Sequence, residues 1–252
     1  MTTERKIRLT TESFAHRPAL DTAVSRAVLQ RVSEGIEPET LRLYRPAAIV
    51  AFGPQDIRAP GYQQAIAAAR GGGFEAINRL VGGRAAVFHE ETLAFTWTIP
   101  DPDPRQNIDV RFQEIADLLT VALRSLGVDA RTGEVAGEYC PGKYSVNARG
   151  NKKLMGVGQR IISKATHVGG VVVVGGSQRI RDVLTPVYQA LQVDMEPSTI
   201  GSIGDELGAT NLDDVRQAII EEFASRYDLS DGTLATDTVA LAETLEPEHI
   251  AP

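Results

Sequence analysis

The only cysteine of this chain lies in a stretch, EYCPGKYSVNARGNKK, whose residue types could carry out acyl transfer. Cys140 stands directly before Pro141–Gly142, and a short strand and a turn separate it from Lys152 and Lys153. A hairpin of this kind brings its second strand back towards the residues that precede the first. Because a nearby cation favours the thiolate, the form that attacks an acyl carbon, we expect Cys140 to be a nucleophile with Lys153 beside it.

Both residues also have an ordinary structural explanation. A free cysteine packs as a small hydrophobe and is more often inert than reactive. Lys153 would then be one of several solvated lysines of the turn, a description that fits Lys152 better. The loop position of Cys140, ahead of a Pro-Gly pair and away from any apolar strand face, favours the chemical interpretation.

A second candidate stretch, NRLVGGR, has two glycines between flanking arginines. Gly82 and Gly83 lie between two apolar runs, and Arg79 and Arg84 stand on either side of them. Glycine amides can approach a ligand closely, and arginine can bind its anionic end. A Gly-Gly pair is nevertheless more common in an ordinary hairpin turn, and that alternative stays open.

Further candidates lie on or beside predicted strands. Gly156 and Gly158 alternate along one strand, so they share a face and would leave a groove without side chains. A bulge or a close crossing of another element is the alternative for these glycines. His89 ends one strand and His167 begins another, and each is either a structural histidine or a proton acceptor and substrate contact.

The composition limits the classes of function. A chain of 252 residues with 42% hydrophobic and 23% charged residues can bury one sizeable core. The net charge of −7, without a long basic block, argues against non-specific nucleic-acid binding. Because no stretch has the apolar run of a signal peptide or membrane span, we expect a cytoplasmic protein without a membrane role. A single cysteine excludes an internal disulfide, which agrees with a reducing compartment.

Periodicity and breaker residues predict the elements that must position these side chains. We expect helices over about residues 19–34, from Pro60 to Gly71–Gly73, up to Gly127 and after an Asn211 cap. Strands are predicted in LRLYR, AAIVAFG, FEAINRLV, RAAVFH, TLAFTWTIP, KLMGVGQRIIS and HVGGVVVV. In TLAFTWTIP the large apolar side chains would face the core and the threonines would face outward.

Grouped strands between helices indicate an α+β fold in one domain, 1–252, with a core over about 19–227 and a weakly ordered tail over 233–252.

Two long stretches, NRLVGGRAAVFHEETLAFTWTIP and GKYSVNARGNKKLMGVGQRIISKATHVGGVVVV, resemble the catalytic domain of the biotin/lipoate protein ligase superfamily. The resemblance covers most of the chain. Within it, FGPQDIRAPGYQQAI, EYCPGKYSV and DMEPSTIGSIGDELG are most similar to the octanoyl-[glycine cleavage protein H]:protein N-octanoyltransferase branch, the lipoyl amidotransferases. This resemblance implies a mixed, mostly antiparallel sheet flanked by helices, as in class II aminoacyl-tRNA synthetases and biotin synthetase.

The resemblance also implies an activity and a site. It makes Cys140 the acyl-accepting nucleophile and Lys153 the lysine that holds the acyl carbonyl and polarises the thiol, with Gly82–Gly83 and Gly156 as walls of the acyl pocket. The further substrate contacts would be Arg79, Val81, Arg84, His89, Gly158, Gln159 and His167. The implied partners are lipoyl carrier domains, those of glycine cleavage H protein and of the 2-oxoacid dehydrogenase E2 subunit. No ATP or metal is needed for this transfer.

The chain departs from the family pattern at several positions. Val81 stands where many relatives have serine or threonine, Arg84 replaces a small residue, and the NARGNKK hairpin is one residue longer than usual. Two other functions therefore stay open. One is a lipoate–protein ligase that uses ATP and Mg²⁺, with Lys153 and Arg79 on the phosphate and carbonyl. The other is a non-catalytic acyl-binding homologue. The segment after the last predicted strand is short for the accessory domain of many ligases, which favours the transferase.

Overall fold

The structure, a computed structural model, describes residues 5–208 and 210–252. Its strands are β1 (Lys6–Thr10), β2 (Thr40–Tyr44), β3 (Ile49–Phe52), β4 (Glu75–Asn78), β5 (Ala86–Phe88), β6 (Thr92–Pro100), β7 (Ala130–Thr132), β8 (Val146–Ala148), β9 (Lys152–Ile162), β10 (Ala165–Val173) and β11 (Asp228–Asp231). Its helices are α1 (Leu20–Ser33), α2 (Pro54–Ile57), α3 (Tyr62–Gly71), α4 (Ile108–Ser125), α5 (Ser177–Leu191), α6 (Ile203–Leu207), α7 (Leu212–Ala224) and α8 (Thr236–Leu245). Within the described ranges, no helix combines the length and the apolar character needed to cross a membrane.

The described strands form an eight-stranded sheet in the order β11-β1-β2-β6-β10-β9-β8-β7 and a three-stranded sheet in the order β4-β3-β5. In the large sheet, β1 pairs in parallel with β11 and β2, and the pairs from β2 to β7 are antiparallel. The mixed, mostly antiparallel sheet of the α+β fold is thereby confirmed. Pro46 falls between β2 and β3, which belong to different sheets, so the proline marks the change of sheet.

The helices predicted from apolar periodicity are present. α1 and α4 lie where the apolar repeats placed them, and α3 begins at Tyr62 rather than at Pro60. Asn211 caps α7, since its side chain accepts a hydrogen bond from the Asp214 amide. Gly127 follows α4 with a φ of +98°, the conformation that ends a helix without strain when the residue is glycine.

The large sheet is covered on both faces, which corrects one expectation about β6. Its large apolar side chains face the core as predicted, and there they pack with α4 and α7. The threonines, expected to face outward, are also buried, with Thr92 and Thr98 at 0% and 1% exposure. The reason is that α1 packs across β6 and β10 on the other face. A central strand between two layers has no solvent side, so its alternation separates two buried environments.

The small sheet packs against α3 and α5, and this second core positions the elements that carry the candidate site. Phe52 of β3, Ile66 of α3 and Leu184 of α5 belong to one buried cluster, which also includes Tyr139 from the cysteine loop. Sequence analysis did not predict α5. The helix contains Pro186 in its interior, a residue that normally argues against a helix.

Residues 233–252 are not a weakly ordered tail. Leu234 and Ala242 are buried in a cluster with α1, and the helix α8 packs along that helix. Further on, the Ala251 amide donates to the Ala76 carbonyl at 3.2 Å. The expectation was wrong because α1 presents an apolar face away from the sheet, and α8 covers it.

Candidate active site

Cys140 lies in the loop between β7 and β8, and its backbone has an unusual conformation. Its φ is +43°, in the left-handed region that residues with side chains rarely adopt. The Cys140 amide donates to the Tyr188 hydroxyl at 2.8 Å, and that hydroxyl donates to the Ala85 carbonyl at 2.9 Å. Burial raises the pKa of Tyr188 well above its ordinary value, so the hydroxyl keeps the proton that it donates. A buried side chain of α5 therefore fixes the amide of the candidate nucleophile.

The sulfur of Cys140 contacts the loop between β4 and β5. The Arg84 amide donates to Sγ at 3.2 Å, and Arg79 Nη1 lies 3.6 Å from the same atom. Arg79 Nη1 also donates to the Arg84 carbonyl at 2.8 Å, which holds the guanidinium beside the sulfur. Gly83 leaves the room for this contact, because a Cβ there would lie 2.8 Å from Sγ. An amide N–H and a guanidinium are groups that stabilise negative charge on sulfur.

The Lys153 ammonium contacts the backbone of the cysteine loop. Its Nζ donates to Glu138 Oε1 at 2.9 Å, to the Tyr139 carbonyl at 2.9 Å and to the Cys140 carbonyl at 2.8 Å. The structure thus brings Lys153 to Cys140, as the sequence predicts, but at the carbonyl oxygen of that residue. Among the described residues, the hydrogen bonds to Sγ come from Arg79 and Arg84.

A β-bulge directs Lys153 towards this loop. Val146 lies opposite Met155, while the next residue of β8 lies opposite Lys153, so Leu154 is an extra residue in β9. A bulge re-aims the side chains beside it. The Lys153 side chain consequently covers Gly156, where a Cβ would lie 3.2 Å from Lys153 Cε. With the longer NARGNKK hairpin, Lys153 still reaches the Cys140 carbonyl.

Glu138 is a buried carboxylate that organises the same loop. Its Oε1 accepts hydrogen bonds from Ser145 Oγ at 2.6 Å, the Gly142 amide at 3.1 Å and Lys153. Its Oε2 accepts from the Val135 amide at 3.0 Å. The Glu138 and Lys153 side chains are 0% and 1% exposed, and a pair buried this deeply needs such additional hydrogen bonds to offset its lost hydration. The segment EYCPGKYS is therefore one hydrogen-bonded unit.

The Gly82–Gly83 segment is not a hairpin turn. β4 and β5 pair with opposite edges of β3, so the loop 79–85 crosses the end of that strand. Gly53, which directly follows β3, packs against the loop: a Cβ there would lie 1.7 Å from the Gly83 carbonyl oxygen. The hairpin interpretation was wrong because another strand separates the two runs that flank the glycines.

The Arg84 side chain turns away from the sulfur. Its Nη1 donates to Asp56 Oδ1 at 3.2 Å, and the Gly53 amide donates to Asp56 Oδ2 at 3.0 Å. Burial raises the pKa of Asp56, and these two contacts with Gly53 and Arg84 oppose that shift. Arg84 therefore offers its amide, and not its guanidinium, to the candidate nucleophile.

A wide and a narrow cavity adjoin these groups. The wide cavity, of about 440 Å³, opens beside Cys140 and is lined by residues that include Gly82, Gly83, Phe112, Tyr144, Gly158 and Gln159. The narrow cavity, of about 60 Å³, is lined by residues that include Val81, Phe88, Phe95, His167, Gly169 and Gly170. Arg79 lines the narrow cavity and touches the sulfur, so it stands between the two.

The glycine face of β9 is filled by neighbouring side chains. Lys153 covers Gly156, while Val81 and Arg79 cover Gly158, where a Cβ would lie 2.6 Å from Val81 Cγ2. The groove expected along this face is therefore occupied, and close packing is what the two glycines permit.

Gln159 lines the wide cavity but is tied to α4. Its Oε1 accepts from Arg111 Nε at 2.9 Å, and its Nε2 donates to the Ile108 carbonyl at 3.3 Å. Its amide group is thus engaged at the start of α4, and the side chain forms part of the cavity wall.

The two histidines are buried in different places. His167 lines the narrow cavity, and burial lowers its pKa to about 3, with the Arg42 cation adding to the shift. His89 lines neither of the two cavities, and burial lowers its pKa to about 4. Its Nδ1 accepts a hydrogen bond from the Glu91 amide at 3.2 Å. The structure brings His167 to the site in its neutral form and leaves His89 outside it.

Sequence analysis missed Glu138 and Tyr188. Glu138 carried a signal, since a carboxylate two residues before the cysteine is a natural partner for a lysine that returns to the same loop. Tyr188 carried none, because α5 itself was not predicted.

Known proteins that are similar to this chain have names that refer to lipoyl ligation or octanoyl transfer. The model of the lipoyl protein ligase A/B catalytic domain matches residues 17–224. An octanoyl-[GcvH]:protein N-octanoyltransferase of Anoxybacillus flavithermus is 32% identical over 155 residues, which are 62% of this chain and 55% of that protein. An octanoyltransferase LipM of Brevibacillus brevis is 26% identical over 90% of both chains.

Among solved structures, a lipoate-protein ligase A bound with ATP superposes with a TM-score of 0.79 at 22% identity, covering 96% of this chain and 95% of the other. The superposition shows a shared fold, and at 22% identity it shows nothing beyond the fold.

Proposed function

Because the chain belongs to the lipoyl protein ligase A/B catalytic-domain family, we propose that it transfers an octanoyl or lipoyl group between carrier proteins through a thioester on Cys140. The observation that carries this proposal is the sulfur of Cys140, half-buried beside a cavity of about 440 Å³ and in contact with the Arg84 amide and the Arg79 guanidinium. The relatives named as octanoyltransferases support the choice of acyl group.

The transfer proceeds in two steps that balance without a further reactant. In the first, Cys140 Sγ attacks the amide carbonyl of an acylated carrier lysine, the C–N bond breaks, and the thiol proton leaves on the lysine amine. In the second, the amine of another carrier lysine attacks the thioester carbonyl, the C–S bond breaks, and the thiol is restored. Sulfur is a good leaving group, so the second step is easier than direct exchange between two amines.

The two cavities suit the two ends of this substrate. The carrier lysine would enter through the wide cavity, which is open beside the sulfur. The acyl tail would lie in the narrow cavity, between Phe88, Phe95 and Val81. The walls are mostly apolar, which favours a hydrocarbon chain. Asp21, paired with Arg42, and Arg79 also line the cavity, and the neutral His167 adds no further charge at neutral pH. Val81 has no hydroxyl, so the contact that serine or threonine makes in relatives would be apolar here.

Carrier proteins of the lipoyl class are the proposed partners. The relative of Anoxybacillus flavithermus is named for transfer from the H protein of glycine cleavage, and we propose that this chain accepts an octanoyl group from the same kind of donor. The lipoyl domain of a 2-oxoacid dehydrogenase E2 subunit is the proposed acceptor. The chain spans 55% of the length of the Anoxybacillus flavithermus relative.

A transfer assay without ATP tests the proposal. Octanoylated H protein is incubated with the chain, and the intact mass of each protein is followed before and after addition of an unmodified E2 lipoyl domain. We expect an octanoyl adduct on the wild-type chain that passes to the lipoyl domain. We expect Cys140→Ser to lose the adduct and to slow transfer by at least about a thousandfold.

The same assay separates the alternatives. Transfer only from free octanoate or lipoate with ATP and Mg²⁺, and unchanged by Cys140→Ser, would assign the ligase activity. Binding of octanoylated carrier without an adduct or transfer under either condition would assign an acyl-binding role. Either result would overturn the transferase proposal.

A further inference from the structure

We propose that Arg79 is the cation that stabilises negative charge on the Cys140 sulfur. Lys153 is a positioning residue that holds the backbone of Cys140. The inference deepens the proposed function, on which its catalytic meaning rests. It reverses the expectation drawn from family resemblance, in which Lys153 holds the acyl carbonyl and polarises the thiol.

The hydrogen bonds of Lys153 leave it no donor for substrate. A lysine ammonium has three N–H donors, and Glu138, the Tyr139 carbonyl and the Cys140 carbonyl accept one each at 2.8–2.9 Å. The Tyr139 ring covers the ammonium at 4.8 Å from its centroid, and the side chain is 1% exposed. An acyl carbonyl would have to displace one of these partners. Glu138 and the Tyr139 carbonyl are buried, and displacing either of them would leave a polar group unpaired.

The same contacts explain what Lys153 does instead. The Cys140 carbonyl is held by Lys153, and the Cys140 amide is held by Tyr188 at 2.8 Å. Both polar groups of the residue are therefore fixed while its φ stays at +43°, a conformation that is unfavourable for a residue with a side chain. Lys153 and Tyr188 together maintain the backbone that points Sγ at the loop 79–85.

Arg79 has the geometry that Lys153 lacks. Its Nη1 lies 3.6 Å from Sγ and is anchored by the Arg84 carbonyl at 2.8 Å. The residue also lines the narrow cavity in which the acyl tail is proposed to lie. Arg79 therefore faces the acyl cavity and also the sulfur, and negative charge on the sulfur changes during the proposed transfer. The Arg84 amide, 3.2 Å from Sγ, is the second donor.

Alkylation of the thiol tests this assignment without any carrier protein. Cys140 is the only cysteine, so the reaction of the intact chain with iodoacetamide reports on that residue alone. Rates are measured at pH 7.0 and pH 9.5. The ratio that is compared between variants is the rate at pH 7.0 divided by the rate at pH 9.5. A group that stabilises the thiolate by charge changes this ratio, whereas a group that only positions the sulfur changes both rates by the same factor.

We expect Arg79→Gln to lower the ratio about tenfold, which corresponds to about 1.4 kcal/mol, and Arg79→Lys to restore part of it. Lys153 is tested in the double variant Glu138→Gln/Lys153→Met, because removing the lysine alone would leave a buried carboxylate unpaired. We expect the double variant to keep the wild-type ratio within about twofold while both rates shift together. Lys152→Met, which alters the neighbouring lysine outside the cluster, is the control.

An unchanged ratio in Arg79→Gln, or a ratio lowered tenfold in the double variant, would overturn the proposal. Thermal unfolding is followed for each variant, and if the double variant does not fold, the Arg79 variants still decide. The carrier assay is read separately: a thiol that responds to Arg79 as expected but accepts no octanoyl group would count against the proposed function alone.

Discussion

At the scale of single residues, Tyr188 makes the contact with Cys140 that is simplest to remove. In Tyr188→Phe the Cys140 amide loses its acceptor and the Ala85 carbonyl loses its donor. Because both groups are buried or nearly so, we expect a loss of about 1–3 kcal/mol in the free energy of unfolding. We also expect slower alkylation of Cys140 at both pH values. Urea denaturation and the alkylation assay measure the two effects.

Tyr62→Phe is the matched control for this prediction. Its hydroxyl donates to Asn78 Oδ1 at 2.6 Å, away from the cysteine loop. We expect this variant to lose stability without a change in alkylation. If alkylation of Cys140 in Tyr188→Phe equals that of wild type, Tyr188 has only a structural role.

Gly53 is a second position at which a single added atom, a Cβ, would change the geometry of the site. A Cβ there would lie 1.7 Å from the Gly83 carbonyl oxygen, so Gly53→Ala must push the loop 79–85 away from β3. We expect a loss of stability of about 1–3 kcal/mol, typical of overpacking, and a change in alkylation rate because the Arg84 amide moves with the loop. Gly71→Ala, at the end of α3 where a Cβ meets nothing within 4 Å, should leave the alkylation rate unchanged and should not lower stability. A wild-type alkylation rate in Gly53→Ala would show that the loop relaxes without disturbing the sulfur.

At the scale of elements, α8 packs along α1 through apolar side chains, and we expect this contact to stabilise the chain. Ala242 is fully buried in that contact, whereas Ala240 on the same helix is exposed. We expect Ala242→Asp to lower the melting temperature by roughly 4–12 °C, because it buries a charge without a partner. We expect Ala240→Asp to leave the free energy of unfolding within about 0.5 kcal/mol of wild type. Equal melting temperatures for the two variants would mean that α8 is not part of the cooperative unit.

The elements also show what the sequence could and could not predict. Strong periodicity located α1 and α4, and the Asn211 cap located α7, because these signals are local. The interior Pro186 argues against a helix, so α5 was not predicted. The bulge at Leu154 has no local sequence signature, so the direction of the Lys153 side chain could not be predicted either. Cys140, Lys153 and Arg79 were identified as site residues, but their mutual contacts depend on how two sheets pack together.

At the scale of the whole molecule, two of the three buried histidines of the described chain, His89 and His167, predict how stability depends on pH, and burial lowers the pKa of His249 in the same direction. Burial lowers the pKa of His167 to about 3 and that of His89 to about 4, while in the unfolded chain both would titrate near 6.5. Between about pH 6.5 and pH 4 the unfolded chain therefore binds protons that the folded chain does not. The contribution of these histidines to stability is therefore greatest above pH 6.5 and falls as the pH is lowered. From pH 7.5 to pH 5.0 we expect each histidine to reduce the free energy of unfolding by about 2 kcal/mol.

A histidine variant isolates this effect from that of other groups. Burial raises the pKa values of the Asp21, Glu39 and Asp56 carboxyls, which act with the opposite sign as the pH falls. Urea denaturation of wild type and His89→Gln at the two pH values cancels that contribution. We expect the variant to lose about 2 kcal/mol less than wild type between pH 7.5 and pH 5.0. The same loss in both proteins would mean that His89 is protonated in the folded state.

The surroundings of Cys140 come from separate layers of the molecule: the cysteine loop belongs to the large sheet, whereas Arg79 and Arg84 belong to a loop of the small one. Neither layer by itself supplies all of these contacts to the thiol. The alkylation rate of Cys140 should consequently depend on whether the two sheets have packed together, and a refolding experiment could follow this assembly through the thiol alone.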